Sequence, residues 1–405
     1  MFIEKSPFER LRALIADIEP KAAPVDLSVG GPKHAPPPFV TEVIAQNAAS
    51  FGAYPLIGGT AEFQRAVHDW IDRRYGLEGW FKDNGAILPL SGSREGLFLT
   101  AVSARDLAGK ANPSLLFANP FYQAYPAAAH AIGATSVPVA AQKGVLPDWD
   151  SMPKAVLEDA LAFIIASPSN PEGVSATLAD WHALFDRAER YGFFIFADEC
   201  YSELYRESRA PPVGALEAAR SRPQILKQLL VFNSLSKRSN LPGLRAGFVA
   251  GHPETIAAVR DFRNQVGPQV PGPLQAAAAA VFDDEAHVAQ NRRLYDQKFA
   301  DAAAILGPRF GPITPDAGFF LWLPVMGDDV DVVRLLWAEA GVRAVPGSYL
   351  ALTPDGQKNP GRGFVRLALV ADAAVTKEAL QRVSSVFERG LCRERVAFES
   401  VGSRP

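Results

Sequence analysis

Short apolar runs alternate with longer amphipathic stretches through the middle of this 405-residue chain, and that alternation restricts the possible folds more than any other feature. Such runs are typical of strands buried on both faces of a sheet. The stretch LADWHALFDRAERYG, by contrast, has apolar residues at helical spacing and ends at Gly192. Strands that alternate with helices predict an α/β fold with a mostly parallel sheet and helices on both faces. The predicted strands cover residues 115–120, 161–168, 193–199, 229–234 and 246–251.

The two ends of the chain have a different pattern. A Ser-Pro pair at residues 6–7 opens a helix, and the Pro/Gly-rich segment over residues 30–39 cannot form one. After a long helical stretch over residues 271–306, residues 318–325 and 363–370 are predicted to be strands of a smaller α+β unit.

The length of the chain exceeds what one hydrophobic core usually supports, so two packed domains are expected. We predict a large domain over residues 46–285 and a small domain built from residues 1–45 and 286–405. The polar stretch beyond Gly390 is expected to fray.

Composition excludes several classes of function. The formal net charge of −3 gives no reason to expect a nucleic-acid or acidic-membrane partner. Cys200 and Cys392 are far apart, so neither a disulfide framework nor a cysteine metal site is expected, and a reducing cytoplasm fits. The amino-terminal residues carry scattered charges rather than a signal-peptide core, and no run of about 18 apolar residues occurs. We expect a soluble, cytoplasmic protein without a membrane partner or a metal site.

Several predicted strands end in polar residues, and ligands bind at the carboxyl ends of strands in open α/β sheets. Asp198 directly follows an apolar run, where an ionised carboxylate is expensive without a partner. A protonated pyridinium nitrogen of a bound cofactor would supply that partner, and the pair would make the ring a better electron sink. A carboxylate that only caps a turn is the alternative. Tyr201 could reach the same ligand with its hydroxyl or could serve in packing alone.

The stretch VFNSLSKRSNLPGLRAGFVAG is the most specific in the chain. A strand ends at Ser234, and a Ser-rich turn then presents Lys237 near Arg238 and Arg245. We expect this positive, partly desolvated setting to lower the pKa of the lysine, which favours the neutral amine needed for imine formation. Ser234, Ser236 and Arg245 are suitable ligands for a phosphate. A solvated basic loop is the alternative.

Three further strand ends carry residues suited to a ligand. Gly92, Ser93 and Arg94 lie between a predicted strand and a helix, where free backbone N–H groups can bind a phosphate. Many helices begin this way, and neither GxxxxGK[ST] nor a strand-associated GxGxxG is present. Tyr122 could stack on a flat ring, and Asn170 could donate to a phenolate oxygen. The alternatives are a core aromatic residue and an Asn that forms a turn before proline.

Arg366 lies inside the otherwise apolar stretch GFVRLALV. A buried arginine needs an anion. A substrate α-carboxylate that accepts two hydrogen bonds is one candidate, and an internal Asp or Glu is the other.

These motifs, in this order, resemble those of fold-type I pyridoxal-phosphate-dependent aminotransferases of class I/II. The resemblance runs from Leu27 through GFVRLALV, and its most specific part is SxSK…PGLRxG preceded by SPxNPxG and ADExY. It implies a large domain with a mostly parallel seven-stranded sheet, a smaller α+β domain, and pyridoxal 5′-phosphate as the cofactor. Tyr54 matches the tyrosine that reaches the phosphate of a neighbouring subunit, which implies a homodimer with shared active sites.

The resemblance also implies roles for single residues. Lys237 matches the Schiff-base lysine and proton shuttle, and Asp198 the partner of the pyridine nitrogen. Asn170 and Tyr201 match the residues at the ring hydroxyl. The other matched positions are the phosphate-binding residues Gly92, Ser93, Arg94, Ser234, Ser236 and Arg245, the stacking residue Tyr122, and the substrate-binding residues Gly30, Asn170 and Arg366.

Within this class, the phrases SLSKRSNLPGLRAGF, ADECYSELY, GSREGLF and NPFYQAYP are similar to those of succinyldiaminopimelate aminotransferases. This similarity implies amino-group exchange between N-succinyl-LL-2,6-diaminopimelate and 2-oxoglutarate in lysine biosynthesis. The sequence departs from the family at Glu172 (usually Thr), at Ser169 (often Asn) and over residues 263–271. Arg238, Arg263 and Lys33 are candidates for binding the distal part of the substrate.

Three alternatives remain. The first is an aspartate/alanine-type aminotransferase, and the second is a carbon–sulfur β-lyase of the same fold. The third is a non-catalytic regulator, which would need a DNA-binding domain, and no basic helix-turn-helix pattern occurs in the chain.

Overall fold

The structure, a computed structural model, describes residues 5–143, 146–147, 152–267, 269–353 and 358–390. The stretch beyond Gly390 lies outside these residues. The strands are β1 Val25–Asp26, β2 Ala86–Leu90, β3 Ser114–Asn119, β4 Thr135–Lys143, β5 Leu146–Pro147, β6 Ala160–Ala166, β7 Phe194–Asp198, β8 Leu229–Ser234, β9 Gly247–Gly251, β10 Phe320–Pro324, β11 Val342–Arg343, β12 Val345–Pro346 and β13 Phe364–Ala368. The α-helices are α1 Pro7–Ile15, α2 Phe39–Gln46, α3 Ala61–Tyr75, α4 Trp80–Asn84, α5 Ser93–Ala108, α6 Ala124–Ala131, α7 Lys154–Glu158, α8 Leu178–Tyr191, α9 Ala215–Ala219, α10 Leu235–Arg238, α11 Pro253–Val266, α12 Gly272–Asp283, α13 Ala286–Phe310, α14 Asp329–Ala340 and α15 Ala373–Glu388.

The large sheet has the strand order β2-β9-β8-β7-β6-β3-β4-β5. The strands from β8 to β4 in this order are parallel, whereas β9 is antiparallel to both β8 and β2. The predicted mostly parallel, seven-stranded sheet is therefore confirmed, and the two-residue β5 adds a short antiparallel edge. As a consequence, β2, β3, β6, β7 and β8 all end at the same edge of the sheet.

Helices cover both faces of this sheet because successive strand residues are apolar on both sides. Leu229 and Val231 of β8 enter one apolar cluster, together with residues of α3, α8 and α12. Leu230 and Phe232 enter a second cluster, together with residues of α5, α6 and α11. The uninterrupted apolar runs in the sequence reflect this two-sided burial.

A second, smaller sheet has the antiparallel order β10-β13-β12, and β1 pairs with β11 beside it. Its apolar cluster is separate and includes residues of α1, α13, α14 and α15. This arrangement is the predicted smaller α+β unit. The division of the chain at residues 46 and 285 stays a prediction.

Local signals in the sequence explain where helices begin and end. Ser6 and Glu9 form a capping box at the start of α1, which confirms the helix predicted there. The helix α8 ends at Gly192, which has a φ of +71°. The stretch predicted as one long helix is two helices, because the Asp284 carboxylate accepts hydrogen bonds from Ala286 and His287 and so starts α13.

Candidate active site

A cavity of about 460 Å³ lies at the edge where the strands of the large sheet end. The opposite wall of the cavity is formed by the small sheet and by the Pro/Gly-rich segment over residues 30–39, called the Gly30 segment below. Most residues predicted from the sequence line this cavity: Gly30, Ser93, Arg94, Tyr122, Asn170, Asp198, Tyr201, Ser234, Ser236, Lys237, Arg245 and Arg366. Gly92 adjoins Ser93, and Tyr54 is 99% exposed and does not line the cavity.

Lys237 lies in the short helix α10, directly after β8. Ser234 caps this helix, since its hydroxyl oxygen accepts a hydrogen bond from the backbone N–H of Ser236 at 3.2 Å. The lysine Nζ donates to the carbonyl oxygen of Gly30 and lies 5.5 Å from the centre of the Phe319 ring. The lysine amine therefore reaches across the cavity and contacts the Gly30 segment instead of extending into solvent.

The pKa of Lys237 is lowered to about 8, mainly because burial removes water from the ammonium group. Arg366 and Arg94 add a smaller repulsive contribution. The predicted direction of the shift and the expected desolvation are confirmed, but the two arginines expected to contribute are the wrong ones. Arg238 and Arg245 are not the charges that act on the lysine, because Arg238 turns away into the core and pairs with Glu285.

Asp198 ends β7 and is 7% exposed. Its Oδ2 accepts a hydrogen bond from the hydroxyl of Tyr125 at 2.9 Å, and its Oδ1 accepts one from the Cys200 N–H at 3.3 Å. Burial raises the pKa of the Asp198 carboxyl in spite of these two donors and of the nearby Lys237. A further positive N–H donor in the cavity would stabilise the carboxylate. The turn-capping alternative explains only the contact with Cys200.

Tyr125 is a site residue that the sequence analysis missed. It is buried in α6, three residues after Tyr122, and the two rings meet edge to face at 5.8 Å. The Tyr122 hydroxyl accepts a hydrogen bond from Arg94. A second tyrosine one helical turn after the stacking candidate is a weak signal, because spacing alone does not show that it faces Asp198.

The residues predicted for phosphate binding form one corner of the cavity wall. Gly92 has a φ of +88° and is followed by α5, so unpaired backbone N–H groups begin there. A Cβ at Gly92 would overlap the guanidinium of Arg245, which donates to the Ser91 carbonyl at 2.9 Å. The hydroxyls of Ser234 and Ser236 are 2.9 Å apart. Backbone donors, hydroxyls and a guanidinium together suit an anion.

Arg366 projects from β13 and is 3% exposed. Its Nη1 donates to Asn170 Oδ1 at 3.1 Å and its Nη2 to the Ser28 carbonyl at 2.7 Å, while its Nε has no partner in the described part of the chain. Burial lowers its pKa to about 10. None of the ion pairs formed by the described residues includes Arg366, so no Asp or Glu among them is its internal partner. A buried cation of this kind suits an external carboxylate.

Two of the arginines considered for binding the distal part of a substrate form ion pairs with other residues of the protein. Arg238 is 1% exposed and pairs with Glu285 at 2.5 Å, and Arg263 is 1% exposed and pairs with Glu95. Lys33 does not line the cavity. These three candidates are therefore not supported.

Glu172 is a second cavity residue whose environment the sequence did not reveal. Its carboxylate accepts a hydrogen bond from Ser169, and burial raises its pKa to about 7. None of the ion pairs of the described residues includes it. The cavity thus has a cation at Arg366 and a separate hydrogen-bond acceptor at Glu172.

The described ranges contain no group of three or more His, Cys, Asp or Glu residues placed to hold a metal ion. No helix within them is long and apolar enough to cross a membrane.

Comparison with known proteins identifies related sequences and structures. The family model for aminotransferase class I and II matches residues 22–384. An LL-diaminopimelate aminotransferase of Syntrophobacter fumaroxidans is 30% identical over 393 residues, which cover 93% of this chain and 95% of that protein.

Solved structures agree with this match. An aminotransferase of Neisseria meningitidis has a TM-score of 0.88 and 37% identity, with 95% of this chain and 98% of that chain covered. A probable N-succinyldiaminopimelate aminotransferase of Thermus thermophilus has a TM-score of 0.78 and 23% identity, with 94% and 100% covered. The second likeness concerns the fold alone.

Proposed function

Because this chain belongs to the class I and II aminotransferases, whose cofactor is pyridoxal 5′-phosphate, we propose that it exchanges an amino group between an amino acid and a 2-oxo acid, with Lys237 as the residue that bonds the cofactor. One observation carries the proposal. A single cavity contains a lysine with a lowered pKa, a buried carboxylate at Asp198 and a buried arginine without a carboxylate partner in the described residues.

The residues of the cavity fit this cofactor. The corner formed by Ser93, Ser234 and Arg245 would hold its phosphate, and Asp198 would hold its ring nitrogen in the protonated form. The fit rests on the Asp198 carboxyl, whose pKa is raised by burial and which gains from a positive N–H partner. When bound, pyridoxal phosphate supplies a carbonyl carbon that amines attack and a ring that withdraws electrons from the substrate.

Lys237 is proposed to form the bond to the cofactor and to move the substrate's α-proton. An amine with a pKa of about 8 is partly neutral at physiological pH, so its Nζ can act as a nucleophile and as a base. The contact with the Gly30 carbonyl gives Nζ a defined resting position. The hydrogen bonds from the Tyr125 hydroxyl and the Cys200 N–H keep the Asp198 carboxylate in one orientation while Lys237 moves the α-proton.

Arg366 is proposed to bind the α-carboxylate of the substrate, with Asn170 and the Gly30 segment beside it. Two of its N–H groups are already fixed by Asn170 and Ser28, which holds the guanidinium plane in place before a substrate arrives. The ring of Phe320 lies 4.4 Å from the guanidinium carbon and limits its movement. A carboxylate fixed in this way orients the C–H bond that must break.

We propose N-succinyl-LL-2,6-diaminopimelate as the amino donor and 2-oxoglutarate as the acceptor. LL-diaminopimelate is the second candidate, favoured by the name of the Syntrophobacter relative. Both have a distal group that can donate a hydrogen bond to Glu172, an amide N–H in the first and an ammonium in the second. The two groups differ in charge, and we propose on that ground that Glu172 discriminates between the two donors.

The proposed assembly is a homodimer with shared active sites. Tyr54 is 99% exposed, and the nearby Phe51 and Leu56 are 59% and 64% exposed. Exposed apolar residues this close together suit a surface that a second copy covers. Light scattering at several protein concentrations tests this assembly, and a monomer with full activity would contradict it.

The reaction is tested by rapid mixing of the cofactor-loaded protein with each of five donors: N-succinyl-LL-2,6-diaminopimelate, LL-diaminopimelate, glutamate, aspartate and alanine. The expected result is a fast spectral change with the first or second donor, release of its 2-oxo product, and reversal by 2-oxoglutarate. Release of pyruvate and ammonia without an oxo-acid acceptor would replace the proposal with the β-lyase alternative.

A further inference from the structure

A hydrogen-bond network outside the cavity joins His34, Asn291 and Lys298. Lys298 is 1% exposed, and its Nζ lies 2.7 Å from His34 Nε2 and 3.0 Å from the Leu369 carbonyl oxygen. His34 Nδ1 lies 2.8 Å from Asn291 Oδ1. None of these three side chains lines the cavity.

The partners of Asn291 fix the direction of every bond. Its Nδ2 donates to the backbone carbonyl oxygens of Lys237 at 3.5 Å and of Arg238 at 3.4 Å. Its Oδ1 must therefore face His34, so His34 Nδ1 donates and His34 Nε2 accepts from Lys298. An imidazole that donates with one nitrogen and accepts with the other is neutral.

The network ties together the three segments that carry the proposed site. His34 lies four residues after Gly30, whose carbonyl accepts from the Lys237 side chain. Asn291 holds the backbone of Lys237 itself. Lys298 holds Leu369, at the end of the strand that carries Arg366.

We propose that His34 is a positioning residue. In its neutral form its hydrogen bonds to Asn291 and Lys298 hold the Gly30 segment, the Lys237 turn and the end of β13 together, and we call this set of hydrogen bonds the lock. Protonation of His34 breaks the hydrogen bond from Lys298 and so frees the three segments. The consequence for catalysis rests on the function proposed above for Lys237, whereas the lock itself does not.

Burial, more than the surrounding charges, determines the direction in which the pKa of His34 shifts. A protonated His34 would lose its acceptor and face the Lys298 ammonium at 2.7 Å. Lys33 adds positive charge near Lys298, Asp372 adds negative charge near both His34 and Lys298, and the centre of the Tyr295 ring lies 4.7 Å from that of the imidazole. Burial is the largest effect and lowers the pKa of His34 below its usual value. The stabilisation is therefore present above the usual histidine pKa and is lost as the pH falls through the lowered one.

The alkaline side behaves differently. Burial lowers the pKa of Lys298 to about 8, but a neutral amine still has two N–H groups to donate to His34 and Leu369. The lock therefore opens on acidification only.

The test uses the cofactor-loaded protein and three variants. His34→Gln keeps one donor and one acceptor but cannot be protonated, His34→Ala removes the lock, and His130→Gln is a control because His130 is exposed on α6. We expect His34→Ala to slow the half-reaction about tenfold, the equivalent of one or two lost hydrogen bonds, and to speed amide exchange over residues 30–39. We expect His34→Gln to keep the neutral-pH rate within about threefold and to move the acidic limb of the pH profile, while His130→Gln leaves it in place.

A readout independent of activity is the NMR titration of ¹³C-labelled histidine. The expected result is one signal, absent from His34→Gln, with a midpoint below the usual histidine value. A normal or raised midpoint for that signal, or an unchanged acidic limb in His34→Gln, would overturn the proposal. If the protein transfers no amino group at any pH, the proposed function fails, and the titration and the amide exchange still decide whether the lock exists.

Discussion

Two lysines in this protein have the same perturbation and different surroundings. The pKa of Lys237 and that of Lys298 are both lowered to about 8, in each case mainly by burial. Each ammonium donates to a backbone carbonyl oxygen, Lys237 to Gly30 and Lys298 to Leu369. On these measures alone, both are candidates for a nucleophilic amine.

The difference between them is what else each amine can reach. Lys237 lines a cavity that also contains Asp198 and Arg366, whereas Lys298 is 1% exposed and does not line that cavity. A lowered pKa therefore reports burial, and only an accessible cavity with complementary groups indicates catalysis.

Replacing each lysine separates the two roles. Lys237→Ala should reduce the amino-transfer rate by at least about 10³-fold, because the nucleophile and the proton carrier are lost together. Lys298→Met should reduce it only about tenfold, because the hydrogen bonds it loses act at a distance. Single-turnover absorbance measurements check both variants. Equal losses in the two variants would erase the distinction between them.

Two buried arginines differ in the same way as the two lysines, one lining the cavity and the other not. Arg366 has no carboxylate partner in the described residues, whereas Arg238 pairs with Glu285. Arg366→Met should lower kcat/KM about 100-fold with little change in stability, since the loss falls on substrate binding. Arg238→Met should leave kcat/KM nearly unchanged and lower the free energy of unfolding by about 3 kcal/mol. Urea unfolding and steady-state kinetics of both variants check this pair, and a stability loss confined to Arg366→Met would reverse the assignment.

Tyr125 is an uncharged residue of the site, and its hydroxyl donates a hydrogen bond to Asp198. Tyr125→Phe keeps the ring but removes the hydrogen bond to Asp198, which should raise the pKa of that carboxyl further. We expect a five- to tenfold slower half-reaction, equivalent to about 1 kcal/mol, with weaker cofactor retention. The Tyr122→Phe protein is the matched control, since its hydroxyl contacts Arg94 and not Asp198. A larger effect in the control would remove Tyr125 from the site.

For Glu172 the expected effect is on the stability of the fold rather than on the rate, and it depends on pH. Burial raises its pKa to about 7, so the stabilisation of its neutral form is present at low pH and is lost as the pH rises through 7. Relative to Glu172→Gln, the wild-type protein should lose on the order of 2 kcal/mol of stability over that range. Thermal unfolding of both proteins between pH 5 and pH 8 checks this, and parallel curves would contradict it.

The sequence predicted the features that are visible along one stretch of chain. Asp198 and Arg366 stood out because a polar residue directly follows or interrupts an apolar run, and Lys237 because a Ser-rich turn after such a run presents it. The structure brings all three to one cavity. The predicted strands of the large sheet match closely for the same reason. The strand β4 was missed because its residues TSVPVAAQK do not form a continuous apolar run and include a proline.

Pairs that are distant in sequence could not be predicted. Tyr125 and Asp198 are separated by 73 positions, and His34 and Lys298 by 264. Arg238 was judged from its neighbour Lys237, but α10 turns its side chain toward α12 and Glu285. Direction around a helix and partners from remote segments depend on tertiary packing, which one sequence does not reveal.

Chemical trapping tests the contrast between the two lysines most directly. Borohydride reduction of the cofactor-loaded protein fixes the cofactor to the amine that carries it, and peptide mass mapping then identifies the residue. We expect one adduct, on Lys237, and none on Lys298. An adduct on Lys298 or any other lysine, or no adduct in a protein that transfers amino groups, would contradict this expectation.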